Sequence, residues 1–242
     1  MRPESQRIRG VVFDFYGTLV KEEDDELRSD QEIFRSYGYE LTDDLFTQWI
    51  DPVHSLEHLS FSTGREMYTD WQRQLWYEAL QQNGIAEEDV AALVEHASIR
   101  SRERRFKTYP GAAYVLESIG NAGRRTAICS NWGWDLPEAV EACGLLGLVE
   151  QVVSSAHVGY RKPHTGIFDV VLDRLDLRAD EVLFVGDTWS ADIVGALSSG
   201  LWAAQVVRGD VVVGGQAIPT PRVIQIADLP ELLPLLQHEA RA

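Results

Sequence analysis

Several short apolar runs in this 242-residue chain lead into residues that can do chemistry. VVF is followed by Asp14, TAIC by Ser130 and Asn131, and VLFVG by Asp187, with Asp192 five residues later; Lys162 lies in the loop GYRKPHTG. A carboxylate can act as nucleophile, and another can bring in a divalent cation. A hydroxyl and an amide can orient an anion, and an ammonium can neutralise charge. Taken singly these residues say little, because an aspartate after a strand is often a turn or capping residue and a loop lysine is usually solvated. Their order, each just past its own apolar run, points to one site.

Such residues meet only if the runs are neighbouring parallel strands, and the rest of the chain is consistent with that. Ile8 to Asp14 reads as a buried strand ending in the turn Tyr16-Gly17-Thr18. The acidic stretch KEEDDELRSD follows, and the chain to about Arg105 reads as helices without a strand. Tyr68, Trp71, Leu75, Trp76, Ala79 and Leu80 recur at helical spacing up to the stop Asn83-Gly84. Val90, Leu93, Val94 and Ala97 mark a second helix, and Asp51-Pro52 breaks an earlier one. From Tyr109 onward the pattern alternates: helix 112–121, strand 125–130, helix 136–143, strand 150–154 and helix 165–175. Strand 181–185, helix 190–199, strand 202–207 and helix 228–236 complete it. This predicts an α/β fold, a Rossmann-like doubly wound parallel sheet, with ligands bound beyond the carboxyl ends of the strands. Residues 1–19 and 106–242 are expected to form this core, and 20–105 an all-helical insertion.

Composition bounds the function. With 22 Lys and Arg against 38 Asp and Glu the formal charge is −16, which opposes binding to nucleic acid or to an anionic membrane surface. No apolar run is long enough to span a bilayer, and the polar start MRPESQRIRG does not resemble a signal peptide, so a cytoplasmic location is expected. Cys129 and Cys143 suit neither a disulfide framework nor a zinc site and read as reduced core residues.

FDFYGTL, ICSN, GYRKPHTGIF and FVGDTWSAD, in this order, resemble the four motifs of the haloacid dehalogenase-like hydrolase superfamily, whose members carry a helical cap inserted after the first motif. The resemblance implies that Asp14 is a nucleophile forming a covalent aspartyl intermediate that water then hydrolyses. It implies that Ser130 bonds the transferring group, with Thr18, Asn131 and Trp132 beside the substrate, and that Lys162 keeps Asp14 ionised. Asp187 would bind Mg2+ together with the Asp14 carboxylate and the backbone carbonyl of Tyr16, supported by Asp192. The implied substrate is a small phosphorylated molecule, selected by the cap.

The motifs are nevertheless a hybrid. Phosphatases of the superfamily usually have a second aspartate where this chain has Tyr16, and that aspartate protonates the leaving alkoxide. A phenol with a pKa of about 10 is a poor acid for that task at neutral pH. Members resembling 2-haloacid dehalogenases carry DxYGT here, and a halide leaves without a proton. Their fourth motif, however, lacks the acidic pair of VGDTWSAD, and Phe168 stands where they tend to have a tyrosine. The expected function is a magnesium-dependent phosphatase; the alternatives are a metal-independent 2-haloacid dehalogenase and a catalytically weak binding member. His164 is a candidate for the missing proton donor, Arg65 and Arg73 for anion binding, and Trp134 with Trp132 for the entrance. Trp49, Trp71 and Trp76 are expected to fill the helical interface.

Overall fold

A computed structural model describes residues 8–23, 26–50, 64–209 and 221–238. The elements in chain order are β1 (Gly10–Phe13), β2 (Val20–Glu22), α1 (Glu26–Ser36), α2 (Asp43–Ile50), α3 (Arg65–Gln82), α4 (Glu87–Glu103) and β3 (Phe106–Thr108). Next come α5 (Ala112–Asn121), β4 (Arg125–Ser130), α6 (Leu136–Ala142), β5 (Gln151–Ser154), α7 (Ser155–Val158), α8 (Thr165–Leu175) and β6 (Val182–Gly186). A π-helical turn (Trp189–Ile193), α9 (Val194–Ser198), β7 (Trp202–Val206), β8 (Val223–Ile226) and α10 (Leu232–His238) complete the chain. The described residues fall into two compact units: one holds the chain up to Lys21 and from Lys107 onward, and the other spans Glu22 to Phe106. No described helix is long and apolar enough to cross a membrane.

The first unit is a six-stranded parallel sheet of order β5-β4-β1-β6-β7-β8 flanked by helices, a Rossmann-like fold. All four residues of β1 are buried, as a central strand covered on both faces requires. Phe13 is in register with Ile128 of β4 on one side and Val185 of β6 on the other, so Asp14 emerges between the ends of those two strands. Beneath it, Val12, Ala127, Val153, Phe168 and Phe184 share one apolar cluster, with Phe168 edge-on to Phe184 at 5.2 Å between ring centres. The approach of α9 to α8 is so close that a Cβ at Gly195 would lie 2.7 Å from the Phe168 ring.

Within the second unit, Phe34, Leu45, Trp49, Trp76, Leu80 and Leu93 form the core. The Trp76 indole N–H donates to the Trp49 carbonyl at 3.0 Å, and the Trp49 and Phe34 rings meet edge to face. Trp71 differs from expectation: it is half-buried beside Tyr68, because five residues of helix place it about 140° around the axis from Trp76. Asp30 of α1 is buried against Arg100 of α4, 2.9 Å away.

Three further features depart from the sequence reading. Val20–Glu22 is a strand in a segment expected to be helical, and it joins β3 in a two-stranded sheet; three residues are too few for a periodicity to register. The strand β8 lies where none was expected. The helix expected over 190–199 opens as the π-helical turn before becoming α9, an irregularity that often accompanies a functional site. The break at Asp51-Pro52 lies outside the described residues.

Removing one partner of a buried ion pair strands the other charge in an apolar setting. Arg100→Leu is therefore expected to lower the unfolding free energy by about 3 kcal/mol, measurable by urea denaturation. A loss below about 0.5 kcal/mol would place the pair with ordinary surface bridges.

Candidate active site

The strand order β4-β1-β6 brings three loop starts to one edge of the sheet. Asp14 is fixed by its own N–H, which donates to the Val185 carbonyl at 2.8 Å. Its Oδ1 accepts from Ser130 Oγ at 2.9 Å and from Lys162 Nζ at 2.6 Å. The same ammonium donates to Asp192 Oδ1 at 2.6 Å, and Asp192 Oδ2 accepts from the Thr188 N–H at 2.9 Å. Lys162 is buried, with its ammonium 5.2 Å from the centre of the Phe184 ring. Asp187 accepts from Thr18 Oγ1 at 3.2 Å, and its carbonyl accepts from the Gln205 amide at 3.3 Å.

Two glycines permit this crowding. A Cβ at Gly186 would lie 2.3 Å from an Asp192 carboxylate oxygen, and one at Gly17 would lie 2.5 Å from an Asp187 oxygen. Gly17 also has φ +83°, in the left-handed region where a side chain is strained. Any other residue at either position would push a carboxylate out of the cluster.

The electrostatics follow from burial and proximity. Burial, then the neighbouring Asp14 and Asp192 charges, push Asp187 up to about 7. Asp192 rises to about 6 through burial, with Lys162 pulling the other way. Burial alone would pull the Lys162 ammonium down, but Asp14 and Asp192 outweigh it and hold it above its ordinary range. Burial also drives the Cys129 thiol up to about 12, so it stays protonated and inert.

Asp14, Asp187 and Asp192 each offer an oxygen, all within 4.8 Å of one another. Three carboxylates against one ammonium leave two negative charges, the complement of a divalent cation with hard oxygen ligands. The residues thus fit the Mg2+ that the motifs implied.

Other sequence candidates are placed differently. Asn131 does not present its amide to the rim: Oδ1 accepts from the Lys162 N–H at 2.7 Å and Nδ2 donates to the Lys162 carbonyl at 3.0 Å. It holds the lysine backbone. Thr18 likewise spends its hydroxyl on Asp187. Trp132 is half-buried with its ring edge-on to Phe15 at 5.3 Å. Trp134 stands against His157, and Tyr16 is 42% exposed. His164 caps α8, its Nδ1 accepting from the Gly166 N–H and its ring stacked on Tyr160. Arg73 bonds Glu95 and Ser98 within the helical unit, and Arg65 opens α3.

Two residues at the edge of the cluster escaped the sequence reading. Gln205 is a fully buried amide in WAAQV, and a polar residue inside an apolar strand is a signal that could have flagged it. Arg208, just past β7, donates from both terminal nitrogens to the Gly17 and Thr18 carbonyls, and no motif announces it.

The chain belongs to the haloacid dehalogenase-like hydrolase family, whose model matches residues 8–200. A phosphoserine phosphatase of Thermus thermophilus is 32% identical over 74% of this chain and 75% of that protein. The (S)-2-haloacid dehalogenase 4A of Burkholderia cepacia is 30% identical over 95% of each chain. A ribulose-1,5-bisphosphate 5-phosphatase of Halopiger xanaduensis is 39% identical over a shorter stretch, 38% of this chain and 39% of that protein. In fold, an L-2-haloacid dehalogenase structure from Xanthobacter autotrophicus superposes with a TM-score of 0.68 at 22% identity, covering 95% of this chain and 98% of that one.

A carboxyl whose folded-state pKa is raised contributes stability that is present at low pH and lost as pH rises through that pKa. In the presence of chelator, Asp187→Asn is therefore expected to raise the melting temperature clearly at pH 8 and much less at pH 5, read by calorimetry. An equal effect at both pH values would mean that Asp187 is ionised throughout that range.

Proposed function

We propose that the protein is a magnesium-dependent phosphatase acting through a covalent aspartyl intermediate at Asp14, on small phosphorylated molecules. The observation that carries this reading is the trio of carboxylates around one buried ammonium, with charge left over for a divalent cation. Asp14, Asp187, the Tyr16 carbonyl and Asp192 would hold Mg2+, which when bound offsets negative charge on the transferring phosphoryl group.

Asp14 Oδ1 accepts from Ser130 and Lys162, and Oδ2, which accepts from neither, is the oxygen assigned to attack phosphorus. Attack forms the oxygen–phosphorus bond to Asp14 while the ester bond breaks and the leaving oxygen keeps the electron pair. Water then cleaves the acyl phosphate and restores the carboxylate. Lys162 offsets the charge of the Asp14 carboxylate before attack and again when hydrolysis restores it, and Ser130, bonded to Asp14 here, would turn to bond a phosphoryl oxygen. The phenol of Tyr16 is too weak an acid to protonate an alkoxide at neutral pH. The Nδ1 of His164 accepts the cap hydrogen bond of α8, so any proton it gave would have to come from Nε2. Aryl and acyl phosphates, whose leaving groups need no proton, are the favoured substrates. In this reading residues 20–105 are the cap that selects among them, and 1–19 with 106–242 are the core.

A second reading, 2-haloacid dehalogenation without a metal, is favoured by Tyr16 itself and by the likeness to the Burkholderia cepacia dehalogenase over 95% of both chains. One panel separates the two. Phosphate released from an aryl phosphate, abolished by chelator and by Asp14→Asn, supports the phosphatase. Halide released from 2-chloropropionate, indifferent to chelator, overturns it. If the missing acid limits turnover, Tyr16→Asp should raise activity on alkyl phosphates at least about tenfold, the low end of general acid catalysis being larger still. No gain, with Mg2+ affinity intact, would assign the limit to another step.

A further inference from the structure

We propose that Arg208 is a positioning residue for the cation site: it clamps the turn after Asp14 so that this turn, in its place, fixes the Asp187 carboxylate. The inference rests on the magnesium-dependent reading of the site above.

The turn has outward-facing carbonyls that its own backbone does not satisfy. The Gly17 N–H donates to the Val20 carbonyl at 2.9 Å and the Leu19 N–H to the Phe15 carbonyl at 2.8 Å, which closes the turn from inside. The Gly17 and Thr18 carbonyls point the other way, and the two terminal nitrogens of Arg208 take one each, the second at 2.9 Å. A planar guanidinium can span two successive carbonyls with fixed geometry, which the point charge of a lysine cannot do.

Arg208 is itself held from three directions. Its guanidinium carbon lies 3.5 Å from the centre of the Tyr109 ring. Its Nε is 3.9 Å from Asp228 Oδ1. The preceding residue is tied to β8 by a bond from the Val207 N–H to the Ile226 carbonyl at 2.9 Å. Tyr109 adds a second tie to the same turn, because its own N–H donates to the Leu19 carbonyl at 2.9 Å. The clamp is thus anchored on the sheet, not on the loop it holds.

What the turn carries makes this matter. Thr18 donates its hydroxyl to Asp187 at 3.2 Å, and the α-carbon of Gly17 backs onto the same carboxylate, with only 2.5 Å between an Asp187 oxygen and the place a Cβ would occupy. No side chain fits between the turn and that carboxylate, and the Thr18 hydroxyl bonds it directly, so a displacement of the turn displaces the donor that fixes Asp187. The Tyr16 carbonyl, a proposed Mg2+ ligand, belongs to the same turn. With its terminal nitrogens on these carbonyls, Arg208 acts through the turn and needs no contact with substrate.

The test compares wild type, Arg208→Gln and Arg208→Lys by Mg2+ titration calorimetry, by thermal unfolding, and by kcat and KM on an aryl phosphate. Loss of an outer partner of a metal site typically costs about 10- to 100-fold in affinity or activity. Arg208→Gln is expected to weaken Mg2+ binding about tenfold or more and to lower kcat similarly, with KM changed less than about twofold. Arg208→Lys, reaching one carbonyl, should fall between. Mg2+ affinity and kcat of Arg208→Gln within about twofold of wild type would overturn the inference and leave Arg208 a fold staple. If Arg208→Gln does not fold, Arg208→Lys decides: a loss of Mg2+ affinity of about threefold or more supports the clamp, and a smaller one overturns it. A wild-type protein that binds no Mg2+ sinks the metal-dependent reading and this inference together, whereas wild-type binding beside an unaltered variant sinks the inference alone.

Discussion

The buried ammonium of Lys162, shared between Asp14 and Asp192 at 2.6 Å each, is the interaction on which the site depends. Three carboxylates gathered within 4.8 Å at the edge of an apolar sheet repel one another and lose their hydration. One cation among them makes the arrangement tolerable and leaves it short of balance by two charges. That remaining charge is the complement of a divalent ion, and burial together with the neighbouring carboxylates raises the proton affinity of Asp187 and Asp192.

Much of the surrounding structure exists to keep that lysine and its partners in place. Asn131 grips both the N–H and the carbonyl of Lys162. The π-helical turn ahead of α9 lets Asp192 fold back to bond the Thr188 N–H while facing the lysine. Gly186 and Gly17 leave the space that the two carboxylates occupy, Gln205 bonds the Asp187 carbonyl, and Arg208 bonds the carbonyls of Gly17 and Thr18. A polar network of this kind is costly if half satisfied, so its members are fixed by several bonds each.

Alternation of apolar runs with helical periods made the parallel sheet legible, because strands covered on both faces must be continuously apolar and helices of ten or so residues register their period. The convergence of Asp14, Ser130, Lys162, Asp187 and Asp192 follows from that topology, since each stands at the end of a strand or in the segment leading away from one. Elements shorter than a period were not legible: Val20–Glu22 and Phe106–Thr108 are three residues each, and the π-helical turn differs from α-helix by a single displaced bond pattern. Nor does sequence say how an amide is spent. Asn131 braces the lysine loop through its amide, and His164 caps a helix through Nδ1, bonds that no motif announces. Arg208 was invisible because its partners, Gly17 and Thr18, lie at the other end of the chain and are engaged through backbone atoms.

The central claim is that Asp14 itself takes the transferring group. Borohydride added during turnover of an aryl phosphate reduces an aspartyl acyl phosphate to homoserine, and peptide mass spectrometry then reads where reduction occurred. The expected result is homoserine at position 14 alone, requiring both substrate and Mg2+. Phosphate release at full rate with Asp14 unmodified, or reduction at another acidic residue, would contradict the account.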